Sequence, residues 1–214
     1  MTRYGLILLI VPVILSAGFG ILTAYNGATI WKLLLLFSLA YLIFTMYFIR
    51  DPKRGVPQSD SIIVSAADGT VIEIVDDTVP GIDGQFTRVS IFMSVFNVHV
   101  NRIPYAGTVK DIRYNPGKFH VASVPKASEL NEQTLIVIDT PKGTYAFKQI
   151  AGLIARRIVT RLDKGQNVKT GAIFGMIRFG SRVDMFLPKA VVIKVKNGQK
   201  VTAGETVIGE WGVK

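Results

Sequence analysis

Cysteine is absent from the 214-residue sequence, and histidine occurs only twice. The missing cysteines exclude a disulfide framework, a thiolate metal site and a cysteine nucleophile. The two histidines, His99 and His120, form neither an H-x-H nor an H-E-x-x-H pattern, so we expect no metal site and no zinc hydrolase. A G-x-S-x-G motif is missing as well, so no serine is expected in a hydrolase nucleophile elbow.

Acidic residues are also missing from the first fifty residues, whose only charged side chains are Arg3, Lys32 and Arg50. The whole chain has 25 basic and 15 acidic residues and a net charge of +10, so the remainder keeps an excess of +7 (22 against 15). A basic domain suits an anionic partner, either a membrane surface or a nucleic acid. The aromatic residues are not interleaved with basic ones as in a stacking platform, so we expect a membrane and no nucleic acid.

Two apolar runs fill these first fifty residues, in a chain whose hydrophobic content is 49%. Residues 5–24 are uncharged and about as long as a bilayer requires, residues 25–27 (YNG) indicate a turn, and residues 33–48 form the second run. A second apolar run, rather than a polar mature start, argues against a cleaved signal peptide. We predict a helical membrane anchor over residues 1–50, which either spans the bilayer or lies in one leaflet.

The flanking charges predict the orientation of this anchor. Arg3 precedes the first run, and Arg50, Lys53 and Arg54 follow the second. The positive-inside rule then puts both ends in the cytoplasm. We therefore expect the rest of the chain at the cytoplasmic face of the cell membrane.

Beyond residue 50, short alternating apolar runs are separated by Gly, Asp, Asn and Pro, which is typical of strands and turns. Residues 51–214 are therefore predicted to form one mainly β domain, a compact hybrid of sandwich and barrel. Only residues 126–133 favour a short helix. The predicted strands are 61–66, 71–75, 88–93, 97–103, 108–114, 135–139, 145–150, 153–159, 174–179, 183–187 and 191–195.

A weak internal repeat runs through this domain. Residues 164–171 (KGQNVKTG) are echoed by residues 197–204 (NGQKVTAG), and each copy is followed by an apolar pair and a glycine. Upstream, residues 68–71 (DGTV) resemble residues 106–109 (AGTV). Such turn-then-strand units resemble the hairpins of biotinyl and lipoyl carrier domains, which bears on the fold and not on function.

Three polar residues are candidates for chemistry, and each has a structural alternative. Alternation puts His99 on one strand face with Asn97 and Asn101, where a neutral imidazole can act as acid or base, although spacing alone favours a solvated strand histidine. Asp68 also fits a turn aspartate, and Ser181, after Gly180, a common turn. His120 has no neighbouring partner and is expected to be incidental.

The order of several motifs changes this picture. Residues 178–184 (RFGSRVD) resemble the self-cleavage motif of the short-form phosphatidylserine decarboxylases. Four other segments resemble family motifs in the family's order: 47–52 (YFIRDP), 66–71 (AADGTV), 93–107 around NVHVNRIP, and 127–133 (ASELNEQ). The resemblance covers nearly all of the soluble domain.

The resemblance implies self-processing. In the family, the serine attacks the preceding carbonyl to give an ester; elimination leaves dehydroalanine, which hydrolyses to ammonia and a pyruvoyl group. Here, Gly180 would end a β chain of residues 1–180, and Ser181 would become the pyruvoyl cap of an α chain of residues 181–214. A glycine before the serine removes side-chain hindrance from the attacked carbonyl.

The implied reaction converts phosphatidylserine into phosphatidylethanolamine. The pyruvoyl group, with no metal and no pyridoxal phosphate, forms a Schiff base with the substrate amine and accepts the electrons left when carbon dioxide departs. Resemblance assigns Ser181 as its precursor, Asp68 to the base assembly for processing, and His99 as acid and base in decarboxylation. The implied partners are the phospholipid, the membrane, the chain's own two fragments and a second copy in a homodimer.

One position departs from the larger bacterial members of the family, where a second histidine follows the first by three residues. Here Arg102 occupies it, and arginine cannot act as a base in proteins. Either Asp68 and His99 share the processing, or Arg102 keeps Asp68 ionised while another group acts. Arg102 is also the candidate substrate-binding residue, for a carboxylate or a phosphate.

Two other functions fit parts of the sequence. The same machinery would act on an archaeal-type phosphoserine lipid with ether-linked tails. A non-enzymatic, membrane-anchored adaptor of biotinyl type would use the C-terminal repeats, but it requires a modifiable lysine at a hairpin tip, and no such hairpin is present.

Overall fold

A computed structural model of the chain describes residues 5–118, 130–152, 157–178 and 180–212. Several positions with predictions lie outside the described residues: His120, Phe179, the first half of the predicted helix at 126–133 and the start of the predicted strand at 153–159. The chain divides into two compact units, Met1–Pro52 and Lys53–Lys214.

The first unit is a helical hairpin. A 3-10 helix, Leu6–Leu9, leads into α1, Ile10–Asn26, and α2 follows at Thr29–Phe48. The turn between them has Gly27 in the left-handed region, at φ 64°, which is the usual end of a helix. The second helix begins four residues before the predicted apolar run.

Side chains from both helices meet along the hairpin. Ser16 Oγ donates a hydrogen bond of 3.1 Å to Ser38 Oγ, and the rings of Phe19 and Trp31 stack with centroids 6.4 Å apart. Leu6–Asn26 and Thr29–Phe48 are each long and apolar enough to cross a membrane, by length and composition. The predicted helical hairpin is confirmed.

The second unit is built from fourteen described strands. They are β1 Ile62–Val64, β2 Gly69–Val79, β3 Ile82–Met93, β4 Val100–Arg102, β5 Gly107–Asn115, β6 Gln133–Thr140, β7 Gly143–Ala151, β8 Ile158–Thr160, β9 Asn167–Val168, β10 Ile173–Ile177, β11 Ser181–Pro188, β12 Val191–Ile193, β13 Lys200–Val201 and β14 Val207–Trp211.

Eight strands form one antiparallel sheet in the order β13-β2-β3-β11-β7-β6-β5-β9, which curls into a half-barrel. Two three-stranded sheets, β1-β14-β12 and β4-β10-β8, complete the unit. The predicted mainly β hybrid of sandwich and barrel is confirmed. Strand β11 lies inside the large sheet and pairs with β3 on one side and β7 on the other.

Alternation along the central strands gives the large sheet two different faces. Val183, Met185 and Leu187 of β11 are fully buried in the main hydrophobic core. Phe186, on the opposite face, belongs to a smaller second cluster. Phe147 of β7 joins the large sheet to β10, because its ring lies 4.9 Å from that of Phe174.

The internal repeat is confirmed as two equivalent structural units. Gly165 and Gly198 occupy matching positions with φ of 83° and 82°, in the left-handed region that favours glycine. The N–H of Gly165 donates to the carbonyl of Val109 at 2.8 Å, and that of Gly198 donates to the carbonyl of Val71 at 2.7 Å. Each downstream copy therefore packs on its own upstream G-T-V segment.

Every predicted strand overlaps an observed one, but the lengths and number differ. The predicted strand at 97–103 shortens to Val100–Arg102, because a hydrogen-bonded turn occupies the residues before it. Three strands were not predicted: β9 and β13, which have only two residues each, and β14. The predicted helix at 126–133 is wrong at its last residue, because Gln133 begins β6.

The junction at Phe147 gives a test of the core. Phe147→Ala would leave a cavity between Tyr145 and Phe174, and we expect the free energy of unfolding to fall by about 3–5 kcal/mol. The exposed Val192→Ala should change it by no more than about 0.5 kcal/mol. Chemical denaturation in detergent measures both, and equal stability of the two variants would contradict the assigned junction.

Candidate active site

Ser181 is the first residue of the central strand β11. It pairs with Met93 of β3 and with Ala151 of β7, and it has no solvent exposure. Its Oγ lies 3.3 Å from Met93 Sδ, a weak acceptor. The Ser181 hydroxyl therefore lies in a dry environment, with neighbouring strands holding its backbone on both sides.

Gly180, immediately before Ser181, has a left-handed backbone with φ 59°. Among the described residues, a side chain at this position would meet only Val95, with the added Cβ 4.0 Å from Val95 Cγ1. The requirement for glycine is therefore conformational, since other L-residues pay about 1–2 kcal/mol in this region. The Gly180–Ser181 peptide bond thus lies at a sharp change of direction.

His99 lies just before β4 and is fully buried. The interpretation of His99 as a solvated strand residue is therefore wrong. Its Nδ1 lies 3.0 Å from the carbonyl oxygen of Asn97, and because a carbonyl can only accept, Nδ1 carries the proton. In the neutral ring Nε2 then holds the lone pair, which is the form that can accept a proton.

The backbone ties His99 to the segment that leads to Ser181. The N–H of Ile177 donates to the carbonyl of His99 at 3.3 Å. The turn before His99 is closed by Asn97 Oδ1, which accepts from both the N–H and the hydroxyl of Ser94 at 2.8 Å. Because Ser94 follows Met93, the turn keeps His99 near the end of β3.

A chain of buried polar side chains reaches the same point. Thr160 Oγ1 donates to Gln149 Oε1 at 2.7 Å, and Gln149 Nε2 donates to Asn101 Oδ1 at 2.8 Å. Asn101 Nδ2 lies 3.7 Å from the Met93 sulfur that the Ser181 hydroxyl also contacts. No local pattern indicated Gln149 or Thr160; the only available signal was that Asn101 alternates with His99.

Asp68 lies at the same end of the large sheet. Thr70 of β2, Phe92 of β3 and Arg182 of β11 are aligned across three strands, so Asp68 lies two strands from Ser181, a backbone separation of about 10 Å. Its carboxylate accepts a hydrogen bond of 2.8 Å from the N–H of Ala203. This partner is remote in sequence, unlike that of a simple turn aspartate.

Arg54, whose charge served above only to predict membrane orientation, is the ion-pair partner of the candidate residue Asp68. Its Nη2 lies 2.9 and 2.8 Å from the two carboxylate oxygens of Asp68, and Nη1 lies 3.4 Å from Glu205 Oε2. The Arg54 and Asp68 side chains are only 10% and 15% exposed. No local pattern indicated this pair.

The internal repeat gives an independent view of Asp68. The matching position of the other unit is Ala106, whose N–H donates to Thr170 Oγ1 at 2.9 Å. In that unit, a threonine hydroxyl makes the contact between the upstream and downstream segments, and no carboxylate is needed. The fold therefore does not require Asp68 as a turn residue.

Arg102 is tied to both repeat units. Its Nη1 donates to the carbonyl of Gly171 at 3.0 Å, and its backbone N–H donates to the carbonyl of Ala66 at 3.0 Å. Arg102 was predicted, as one alternative, to hold Asp68, and the contact with both Asp68 oxygens is made by Arg54 Nη2. Substrate binding by Arg102 stays a prediction.

The opposite face of β11 carries a buried ion network just after Ser181. Arg182 is 1% exposed; its Nε lies 2.5 Å from Asp184 Oδ1, and its Nη2 donates to Ser90 Oγ at 2.8 Å. Arg88 Nη1 lies 3.7 Å from the other Asp184 oxygen. These contacts hold the start of β11 against β3.

Within the described ranges, no group of three or more His, Cys, Asp or Glu side chains could hold a metal ion.

Comparison with known proteins identifies relatives that match most of the chain. A sequence profile of the family described as phosphatidylserine decarboxylase matches residues 41–209. The phosphatidylserine decarboxylase proenzyme of Chlorobaculum tepidum is 48% identical over 177 residues, which cover 82% of this chain and 81% of that protein. The proenzymes of Chlorobium chlorochromatii (49% identity, 86% of each chain) and Desulfotalea psychrophila (46%, 94% of each) are similar too. The chain belongs to the phosphatidylserine decarboxylase family.

Proposed function

We propose that this chain is a carboxy-lyase that converts phosphatidylserine into phosphatidylethanolamine after cleaving itself between Gly180 and Ser181. The observation that carries the proposal is the Gly180–Ser181 bond, which joins a left-handed glycine to a fully buried serine at the head of the central strand, at the same sheet end as Asp68. The relatives of nearly the same length are named proenzymes, which supports processing.

Processing begins when Ser181 Oγ attacks the carbonyl carbon of Gly180. The hydroxyl faces a thioether rather than a strong acceptor, so little hydrogen-bond energy opposes its movement toward the carbonyl. A base must accept its proton, and the two candidates are His99 through Nε2 and Asp68. Arg54 would pair with the Asp68 carboxylate and orient it, a role first considered for Arg102.

The site suits a pyruvoyl group, because this group has fewer heavy atoms than the serine it replaces and fills no additional volume. It supplies an electron sink for decarboxylation. Strands β3 and β7 would hold its backbone, and Arg182 and Asp184 would anchor the residues that follow. The fragments 1–180 and 181–214 would therefore remain associated.

His99 is the proposed proton donor and acceptor during turnover. A buried imidazole with one nitrogen fixed by a backbone carbonyl can present the other to the reacting carbon in a defined tautomer. Arg102 remains a proposed ligand of the substrate carboxylate or phosphate. Its planar guanidinium matches the geometry of either anion, and the Gly171 carbonyl accepts a hydrogen bond from its Nη1.

The helical hairpin would keep the enzyme at its lipid substrate. Two apolar helices followed by Arg50, Lys53 and Arg54 favour a membrane anchor with the catalytic unit on the cytoplasmic side. A basic domain would raise the local concentration of an anionic phospholipid. A homodimer is retained as a prediction.

The first prediction concerns the reacting serine. Ser181→Ala removes the attacking oxygen, so the purified variant should stay a single chain and should form no phosphatidylethanolamine from phosphatidylserine vesicles. The exposed Ser59→Ala is the matched control and should be cleaved and active. Product formation by a folded Ser181→Ala variant would contradict the proposal.

The second prediction concerns the scissile glycine. Gly180→Ala must pay about 1–2 kcal/mol to keep φ near 59°, so self-cleavage should slow by about tenfold. Gly165→Ala is the control: its backbone cost is similar, its added Cβ contacts nothing within 4 Å, and it lies away from the scissile bond. This variant should be cleaved at the normal rate. A time course on denaturing gels measures both. Equal rates for Gly180→Ala and the unmodified chain would contradict the conformational role.

The third prediction concerns Arg54. Arg54→Gln leaves the largely buried Asp68 without its cation, so self-cleavage should slow by tenfold or more, and adding Asp68→Asn should change little further because the pair acts as a unit. The exposed neighbour Lys53→Gln is the control. Normal processing of Arg54→Gln, or full additivity with Asp68→Asn, would argue against this pair.

A further inference from the structure

Two arginines lie opposite each other where β8 and β10 begin to separate. Ile177 and Ile158 form the last paired residues of these antiparallel strands, and the N–H of Arg178 then donates to the carbonyl of Arg157 at 3.3 Å. Directly opposite residues on antiparallel strands project from the same face, with Cβ atoms about 4.5–5.5 Å apart. The two guanidinium groups are therefore neighbours.

This arginine pair has no compensating carboxylate in the part of the chain that the structure describes. Four other arginines each contact one: Arg54, Arg88, Arg113 and Arg182. Arg178 Nε is buried and donates no hydrogen bond to any residue that the structure describes. Burial lowers the pKa of the Arg178 guanidinium, and the nearby charge of Arg157 lowers it further. A like-charged pair with an unsatisfied buried donor is costly unless an anion completes it.

The pair lies close to the reacting residue. Arg178 precedes Ser181 by three residues, so their backbones are at most about 11 Å apart. The adjacent Ile177 N–H donates to the carbonyl of His99. A backbone separation of this size allows one small headgroup to contact both residue 181 and the Arg178 side chain.

We propose that Arg157 and Arg178 bind the phosphate of the phospholipid headgroup, an inference that rests on the proposed decarboxylase function. In a phosphoserine headgroup, the amine and the phosphorus are separated only by two carbons and one ester oxygen. A substrate whose amine reaches residue 181 must therefore have its phosphate nearby. Paired guanidinium groups match phosphate oxygens in charge and in bidentate geometry.

The substrate carboxylate suits this pair less well than the phosphate. Decarboxylation removes the charge of the carboxylate, so a strong ion pair with it would stabilise the ground state more than the transition state. The phosphate keeps its charge throughout the reaction. A third anion, the carboxylate of Gly180 released by cleavage, would form two residues after Arg178 and is tested below.

The experiment measures how the processed enzyme binds dihexanoyl phosphatidylethanolamine, which has the phosphate but no carboxylate. Isothermal titration calorimetry should give a dissociation constant raised about tenfold or more in both Arg157→Gln and Arg178→Gln. Arg161→Gln, an exposed arginine beyond the other end of β8, is the matched control and should bind as the unmodified enzyme does. The KM for phosphatidylserine should rise in parallel with little change in kcat.

Unchanged binding of this lipid by both variants would overturn the inference. A rise in the KM for phosphatidylserine alone would assign the arginines to the substrate carboxylate. A defect in processing alone would assign them to cleavage or to the Gly180 terminus. Either result would also overturn the inference. Should Arg178→Gln fail to process, Arg157→Gln, outside the cleavage segment, decides. Failure of the unmodified, cleaved enzyme to release carbon dioxide would instead refute the proposed function.

Discussion

The site depends on the two-sided pairing of β11. Its first residue is Ser181, so all residues of β11 that pair with β3 and β7 follow the Gly180–Ser181 bond in the sequence. A chain cut at that bond would keep this pairing. It would also keep Val183 buried in the hydrophobic core on one face of β11 and the Arg182 ion network on the other face. A break elsewhere in the strand would divide the pairing between two fragments. The head of a central strand is therefore a position where a chain can gain a new terminus without losing its fold.

The duplicated turn-and-strand units explain how the remaining groups come to this end of the sheet. Each downstream copy packs on an upstream G-T-V segment, and together the copies set the positions of β2 and β5. Only one copy carries a carboxylate, Asp68, and only that copy has a buried arginine against it. Two similar units that differ in one buried polar pair are what we expect when a functional residue replaces a residue that the fold itself does not require.

Local patterns predicted the helical hairpin, six of the eight strands of the large sheet and the repeat, because periodicity and turn residues are local properties of the chain. They did not predict that His99 is buried, since alternation separates two faces without saying what covers them. They also missed Arg54 on Asp68 and Gln149 on Asn101, which are 14 and 48 residues apart in sequence. Such contacts depend on strand register, which forms only when the whole sheet assembles.

The most direct test of the central claim is the mass of the unmodified protein under native and denaturing conditions. We predict one native species that contains both fragments and two denatured chains, residues 1–180 and residues 181–214. The second should carry pyruvoyl in place of serine, so that the summed mass reflects one water gained and one ammonia lost. A single uncut chain in a folded sample, or fragments that separate under native conditions, would contradict the claim that the head of β11 is the site of self-processing and holds its product in place.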